Sequence, residues 1–244
     1  MSQQTCPKCL GSGWEKIDRD GLSGVARCEC IKGSRSERLL KGANIPQRYE
    51  HCELEEYATR NNRSLDIAKT IAEKFVAEFP MSQPFGLLFM GPQGIGKTHL
   101  VVGIVKKLIR QKSVPCYFCT FPELLKQIQD SYNPVSQSSE MSLLEPVVST
   151  QVLVLDELGA QKPSDWGRDQ VAYVLNRRYN ENKVTIVTTN FLDYGPESKK
   201  PGVSDSLSDR IGLRIRSRLY EMCKTVEMDG NDFRAEIKHA NHHF

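Results

Sequence analysis

No stretch of this chain reaches the roughly 18 consecutive apolar residues that a membrane-spanning helix requires, which excludes a helical membrane protein. The opening residues, MSQQTCPKCL, lack the charged-then-apolar pattern of a secretory signal, so a cytoplasmic protein with no membrane contact is expected. Neither sign of charge dominates: 33 Lys and Arg against 30 Asp and Glu leave a net charge of +3, and the total therefore points to no particular partner. No internal repeat is visible, which excludes a repeat array. Hydrophobic residues at 39% and charged residues at 26% exclude wholesale disorder. A length of 244 residues suits one α/β domain with a small appendage.

The near-neutral total hides two local concentrations of positive charge. Arg27, Lys32, Arg35, Arg38, Lys41 and Arg48 face only Glu29 and Glu37 across residues 27–48, and a second basic stretch covers 199–224. The cysteines are also unevenly placed. Cys6-x₂-Cys9 and Cys28-x-Cys30 crowd into the first thirty residues, whereas the other four are scattered through core-like sequence. Two close thiolate pairs can close a tetrahedral site, so a structural Zn²⁺ is expected there, with a redox pair or no metal as alternatives. The head has few apolar residues, which couples its folding to the metal. Cys116 and Cys119 fall within one strand-like run, where positions i and i+3 face opposite ways, and both are expected in the core. His239, His242 and His243 lie in a polar tail and are expected to be solvated.

Three regions follow from composition: a zinc-binding head at 1–33, a polar linker at 34–63 containing IPQRYEHCELEEY, and an α/β domain at 64–244. Ile67, Ala68, Ile71, Phe75, Val76 and Phe79 recur at helical spacing until Pro80. FGLLFM (85–90), VPCYFCT (114–120), VLVLD (152–156) and VTIVTTN (184–190) are short apolar or β-branched runs separated by helical segments. Strands apolar on both faces, alternating with helices, predict a parallel sheet flanked by helices. Exposed loops are expected at 131–140 and 193–206.

The first strand leads into GPQGIGKTH. Gly91, Pro92, Gln93, Gly94, Ile95, Gly96, Lys97 and Thr98 spell a phosphate-binding loop, and His99 follows. Glycines let successive backbone N–H groups turn toward phosphate oxygens, and the helix N-terminus adds partial positive charge. Lys97 is expected on the β- and γ-phosphates and Thr98 on Mg²⁺. Asp156, at the end of a buried strand expected beside the first, would hold Mg²⁺, and Glu157 would activate the attacking water. The alternative is a pair of acids capping the next helix. Asn190 would touch the γ-phosphate or that water if its strand lies beside the first, the alternative being a turn-forming Asn. Near the end, Arg210, Arg214 and Arg218 form one ridge if 210–222 is a single helix, beside an apolar stripe of Ile211, Ile215, Leu219 and Met222.

IPQRYEHCELEEY, GPQGIGKTHL, VLVLDELGAQ, VTIVTTNF and LSDRIGLRIRSRLYEM, in this order, resemble an AAA+ ATPase. More narrowly they resemble the bacterial helicase loaders of the DnaC type and the related transposition helpers of the IstB type, over residues 44–234. The resemblance implies an ATPase that binds single-stranded DNA, forms a homo-oligomer with ATP and DNA, and delivers the replicative helicase, or assists a transposase. It implies that Arg218 reaches the nucleotide site of an adjacent subunit with Arg214 in support, and that Ile45, Pro46 and Tyr49 sit near the adenine. A solvated basic helix face is the alternative for the arginines. Arg216, on another face, is expected to be solvated or to contact DNA. Lys126, Tyr132, Tyr194, Lys199 and Lys200 are candidates for DNA contact. Arg234 is a candidate for a second sensor arginine. A nucleotide-gated adaptor with incidental hydrolysis remains the reading from another class.

Overall fold

The computed structural model describes residues 6–10, 12–19, 22–83, 85–131, 140–193 and 205–235. Tyr132, Tyr194, Lys199, Lys200, His239, His242 and His243, with most of the two expected loops, lie outside these residues.

The head is a two-stranded antiparallel ribbon, β1 (Trp14–Arg19) and β2 (Leu22–Arg27), joined directly to helix α1 (Glu29–Gly42). Helix α1 crosses residue 33 without a break. It is tied to the rest of the chain: Ser36 Oγ donates to the Ile109 carbonyl at 3.3 Å, and Ala43 is fully buried. The polar segment after it sends several side chains into the core. Tyr49, on a short 3₁₀ turn, and Cys52, Leu54 and Tyr57 are all buried. Glu53 pairs with the buried Lys106 and with Arg110, and Glu55 pairs with Lys107, so this segment is clasped to the helix that follows the phosphate loop.

Helix α2 (Arg63–Glu78) starts where the Asn62 side chain accepts from the backbone N–H groups of Ser64 and Leu65, an N-cap that satisfies two orphan donors. It buries Leu65, Ala68, Ala72, Phe75 and Val76, while Ile67 stays half exposed. Then follow β3 (Gly86–Met90), α3 (Lys97–Lys112), β4 (Cys116–Thr120), α4 (Phe121–Ser131), α5 (Glu140–Ser149), β5 (Val152–Asp156), α6 (Asp165–Asn180), β6 (Val184–Thr189), α7 (Leu207–Ile211), α8 (Leu213–Met222) and β7 (Cys223–Glu227). The sheet is five-stranded, parallel throughout, with spatial order β4-β5-β6-β3-β7. The strand β7 was not among the four expected. It lies at the sheet edge and buries only Cys223 and Val226, so it has no continuous apolar run to mark it.

Two apolar layers sandwich the sheet. One joins α2, α3 and the 43–57 segment to Leu87, Phe89 and Cys116; the other joins α4 to α8 to Leu88, Met90 and Cys119. Cys116 and Cys119 thus sit in opposite layers, as their spacing requires.

Arg178 on α6 is fully buried, and none of its hydrogen-bond partners among the described residues is a carboxylate. Its guanidinium donates to the carbonyls of Val147, Val148, Thr150 and Val184 and to Thr185 Oγ1, at 2.5–3.2 Å, and so staples α5 and β6 to α6. Burial pulls its pKa down to about 9, which leaves it charged at neutral pH. Removing it strands several buried acceptors, each costing about 1–3 kcal/mol. Arg178→Met is therefore expected to lose on the order of 3–5 kcal/mol of stability, read by urea unfolding; a loss below about 1 kcal/mol would contradict this role.

Candidate functional site

The expected phosphate loop runs from the end of β3 to the start of α3, whose N-terminal residue is Lys97. Gly94 and Gly96 adopt φ of 76° and 94°, which favour glycine. A Cβ at Gly94 would lie 1.8 Å from Asp232 Oδ1, and one at Gly96 would lie 2.7 Å from the Tyr57 ring. The loop is glycine-rich on its outer side because protein packs there. Lys97 Nζ donates to the carbonyls of Gly91 and Pro92 at 2.8 and 2.6 Å. Burial lowers its pKa to about 8, against the opposing pull of Asp156 and Glu157.

Asp156 is fully buried at the end of β5. It is not on the strand beside β3, as expected: β6 lies between them. The carboxylate nevertheless reaches the loop, because Thr98 Oγ1 donates to both of its oxygens at 3.1–3.2 Å. Burial raises its pKa, while the Thr188 and Thr98 hydroxyls and Lys97 oppose that shift. An anion held in a dry site with a hydroxyl facing it suits a divalent cation between the two. Glu157 follows with φ of 59°, a left-handed conformation costing roughly 1–2 kcal/mol for a non-glycine residue.

Thr188, buried on β6, holds this strained pair. Its Oγ1 donates to Asp156 Oδ1 at 2.5 Å and accepts from the Glu157 N–H at 3.0 Å. Thr189 Oγ1 donates to the Leu158 carbonyl at 2.8 Å. Because β6 pairs with both β3 and β5, it also brings Asn190 to the loop. Thr188 and Asn190 line one cavity of about 660 Å³ together with Gln93, Lys97, Thr98 and Glu157. Thr188 was missed in the sequence. Its signal was the two-residue spacing from Asn190, which puts both on one side of the strand.

Tyr49, His99 and Arg234 also line that cavity, whereas Ile45 packs against the core instead. Arg234 arrives on a strap that returns from β7: Met228 N–H donates to the Met90 carbonyl at 2.7 Å and Phe233 N–H to the Gly94 carbonyl at 3.2 Å. Beyond Gly96 and His99 lies a smaller, more apolar cavity of about 260 Å³, bounded by Tyr57, Leu65, Ile95 and Phe233. The Tyr57 hydroxyl donates to the Ile95 carbonyl at 2.9 Å, and the Arg60 guanidinium lies over the Phe233 ring at 3.8 Å.

The expected arginine ridge is broken. Gly212, with φ of 85° and ψ of 156°, separates α7 from α8, so Arg210 does not share a helix with Arg214 and Arg218. Arg210 instead braces the turn after β5, donating to the Gly159 and Ala160 carbonyls at 2.8 and 2.9 Å. The stripe of Ile211, Ile215, Leu219 and Met222 is buried as expected. Arg214 is exposed. Arg218 donates to Asn176 Oδ1 at 3.0 Å and Glu221 Oε2 at 2.7 Å and lies over the Tyr179 ring. Neither lines the cavity of its own chain. Arg216 is not simply solvated; it pairs with the buried Asp193 at 2.5 Å.

In the head, Cys6 and Cys28 Sγ are 3.8 Å apart and Cys9 and Cys30 Sγ 3.4 Å, with all four within 4.8 Å of one another. Four thiolates at about 2.3 Å from a tetrahedral Zn²⁺ stand about 3.8 Å apart, so this set fits the ion. No position is left for a substrate or water, which makes such a site structural.

Residues 27–241 match the family described as IstB-like ATP binding protein. The replicative helicase loader DnaC of Escherichia coli (strain K12) is 26% identical over 204 residues, 83% of this chain and 78% of that protein. The phage-like element PBSX protein XkdC of Bacillus subtilis (strain 168) is 22% identical over 231 residues, 91% of this chain and 80% of that one. A crystal structure of the DnaC helicase loader superposes with a TM-score of 0.64 at 32% identity, covering 75% of this chain and 99% of that chain.

Proposed function

The chain belongs to the IstB-like ATP binding protein family, and from that premise we propose that it is a cytoplasmic, ATP-hydrolysing helicase loader that assembles on single-stranded DNA. The observation that carries the reading is one cavity in which Lys97, Thr98, Glu157, Thr188 and Asn190 converge around a buried Asp156. The likeness to proteins named as replicative helicase loaders supports a replicative helicase as the partner; capture of a transposase instead would move the assignment to the transposition helpers.

In this reading the triphosphate lies along the loop from Gly91 to Thr98, and the base enters the smaller cavity between Tyr57, Ile95 and Phe233. Ile45 is thereby set aside from base contact, while Tyr49 stays on the phosphate side. Lys97 exchanges its two loop carbonyls for phosphate oxygens. Thr98 and Asp156 hold Mg²⁺, which when bound offsets phosphate charge. Glu157 takes the proton of the attacking water, Asn190 and Arg234 contact the terminal phosphate, and Thr188 keeps both acids in place. Arg218 of an adjacent subunit, supported by Arg214, completes the site, since a permanently charged planar guanidinium suits the charge developing on the transferred phosphoryl group.

Mixing subunits tests this assembly. Arg218→Ala and Glu157→Gln are each expected to be inactive in ATP turnover on single-stranded DNA, yet mixed they form interfaces with an intact Glu157 beside an intact Arg218. Recovery of phosphate release in the mixture is the expected result. No recovery, or an Arg218→Ala protein that is fully active alone, would rule out an arginine acting between subunits.

A further inference from the structure

The ribbon of the head has one face that nothing in the nucleotide site or the zinc centre uses. In the β1–β2 register Trp14 pairs with Arg27, Lys16 with Val25 and Asp18 with Ser23, and alternation puts these six on one face. Trp14, Lys16, Ser23, Val25 and Arg27 are all exposed: Trp14 keeps 51% of its surface accessible and Val25 68%. The Arg27 guanidinium lies 5.8 Å from the Trp14 ring centroid. The register places Asp18, the partner of Ser23, at the far end of this face, so its two cations, Lys16 and Arg27, gather at the Trp14 end. The opposite side is the inner one: Glu15 and Ala26 are half-buried, and a Cβ on Gly13 would run into Ile31 at 2.1 Å. Trp14, Lys16 and Val25 also precede the stretch matched to the family, which begins at residue 27.

We propose that this face binds single-stranded nucleic acid, with a base stacked on Trp14 and phosphates on Lys16 and Arg27. An indole presents a flat π-face that accepts any base, and cations beside it meet the backbone, the combination used for sequence-tolerant single-strand binding. Trp14 and Lys16 are about 7 Å apart along the strand, so a stacked base and its neighbouring phosphate are engaged together. A duplex hides its base faces and leaves the indole without a partner. A protein partner fits less well, because Lys16 stands directly opposite Val25 in the middle of the face and interface cores are depleted in lysine. The inference rests on the proposed function only for the ligand class; it assigns that ligand to the head, in addition to the ATPase portion.

The test uses the zinc-loaded full chain without nucleotide. The chain has two tryptophans, so Trp166→Phe leaves Trp14 as the single indole reporter. Titration with oligo-dT is expected to quench its fluorescence, with affinity falling as salt rises. Trp14→Ala should weaken binding by about fivefold to a hundredfold, read by anisotropy of labelled oligo-dT. Lys16→Ala with Arg27→Ala should flatten the log–log salt dependence by about 1.4, two single-strand phosphate contacts. Unchanged zinc stoichiometry in each variant shows that the head is still folded. Oligo-dT binding of normal affinity with no response of Trp14 would overturn this inference alone. A failure of all variants and the parent to bind oligo-dT even with ATP would also remove DNA from the proposed function. A blue shift of Trp14 emission with replicative helicase but none with oligo-dT would make the face a protein-docking surface and overturn the inference.

Discussion

Glu157→Gln is expected to lower ATP turnover by about 10²- to 10⁴-fold, the range a positioned general base supplies, while ATP affinity stays within a few-fold of the parent. The substitution is nearly isosteric, and what holds residue 157 is its backbone: the N–H donated to Thr188 Oγ1 and the left-handed φ, both indifferent to oxygen or nitrogen at the side-chain end. Asp156, Thr98 and Lys97 keep their contacts, so the loop and metal positions are unaltered. Steady-state phosphate release together with calorimetric ATP binding separates the outcomes. If Glu157 merely belonged to a turn, turnover would barely change. If turnover falls but helicase delivery proceeds at the parental rate, hydrolysis is incidental and the nucleotide-gated adaptor is the right description. Thr188→Val is the informative companion, because it leaves both acids in the chain and removes a hydroxyl that bonds to both.

The residues whose spacing is dictated by local backbone chemistry were readable directly. Gly91 to Thr98 must be contiguous to form a loop, and Asp156 and Glu157 must end a strand; each motif carries its own context. The parts that were not readable depend on how distant elements meet. Order along the chain does not show that β6 is inserted between β3 and β5, which is what lets Thr188 reach Asp156. The strap carrying Phe233 and Arg234 is far from the loop in sequence, and only the parallel pairing of β7 with β3 returns it there. Helical periodicity continues through Gly212, so a residue that breaks the helix by its φ and ψ looked like one more position on the arginine face. The head's ribbon did have a signal, the Asp20-Gly21 dipeptide between two polar strands, but alternation interrupted by charge hid it behind the cysteine pattern.

Removal of zinc is expected to unfold the head and stop there. Of the head side chains whose burial is described, only those of Cys9 and Cys28 are buried, both proposed ligands, so the metal is what draws the ribbon and the helix start together. Apparent binding energies of structural zinc sites, about 10–16 kcal/mol, far exceed anything an isolated two-stranded hairpin supplies. Cys28 and Cys30 bracket the start of α1, so the first turn of that helix should open as well. Unfolding should end near Ser36, where the hydroxyl bonds to the Ile109 carbonyl, before Leu39 and Leu40 pack on the core and the Ala43 carbonyl accepts from Phe118. Hydrogen exchange after chelation, or in Cys9→Ser, is therefore expected to become fast over β1, β2 and the first turn of α1, with 36–43 and the sheet still protected and ATP affinity within a few-fold of the parent. Trp14 should at the same time lose its response to oligo-dT. Protection of the ribbon amides that survives complete removal of the metal would show that the four thiols are not what folds the head. Loss of protection that spreads through α1 into β4 would show instead that the head and the ATPase sheet unfold as one cooperative unit, and that zinc stabilises the whole chain.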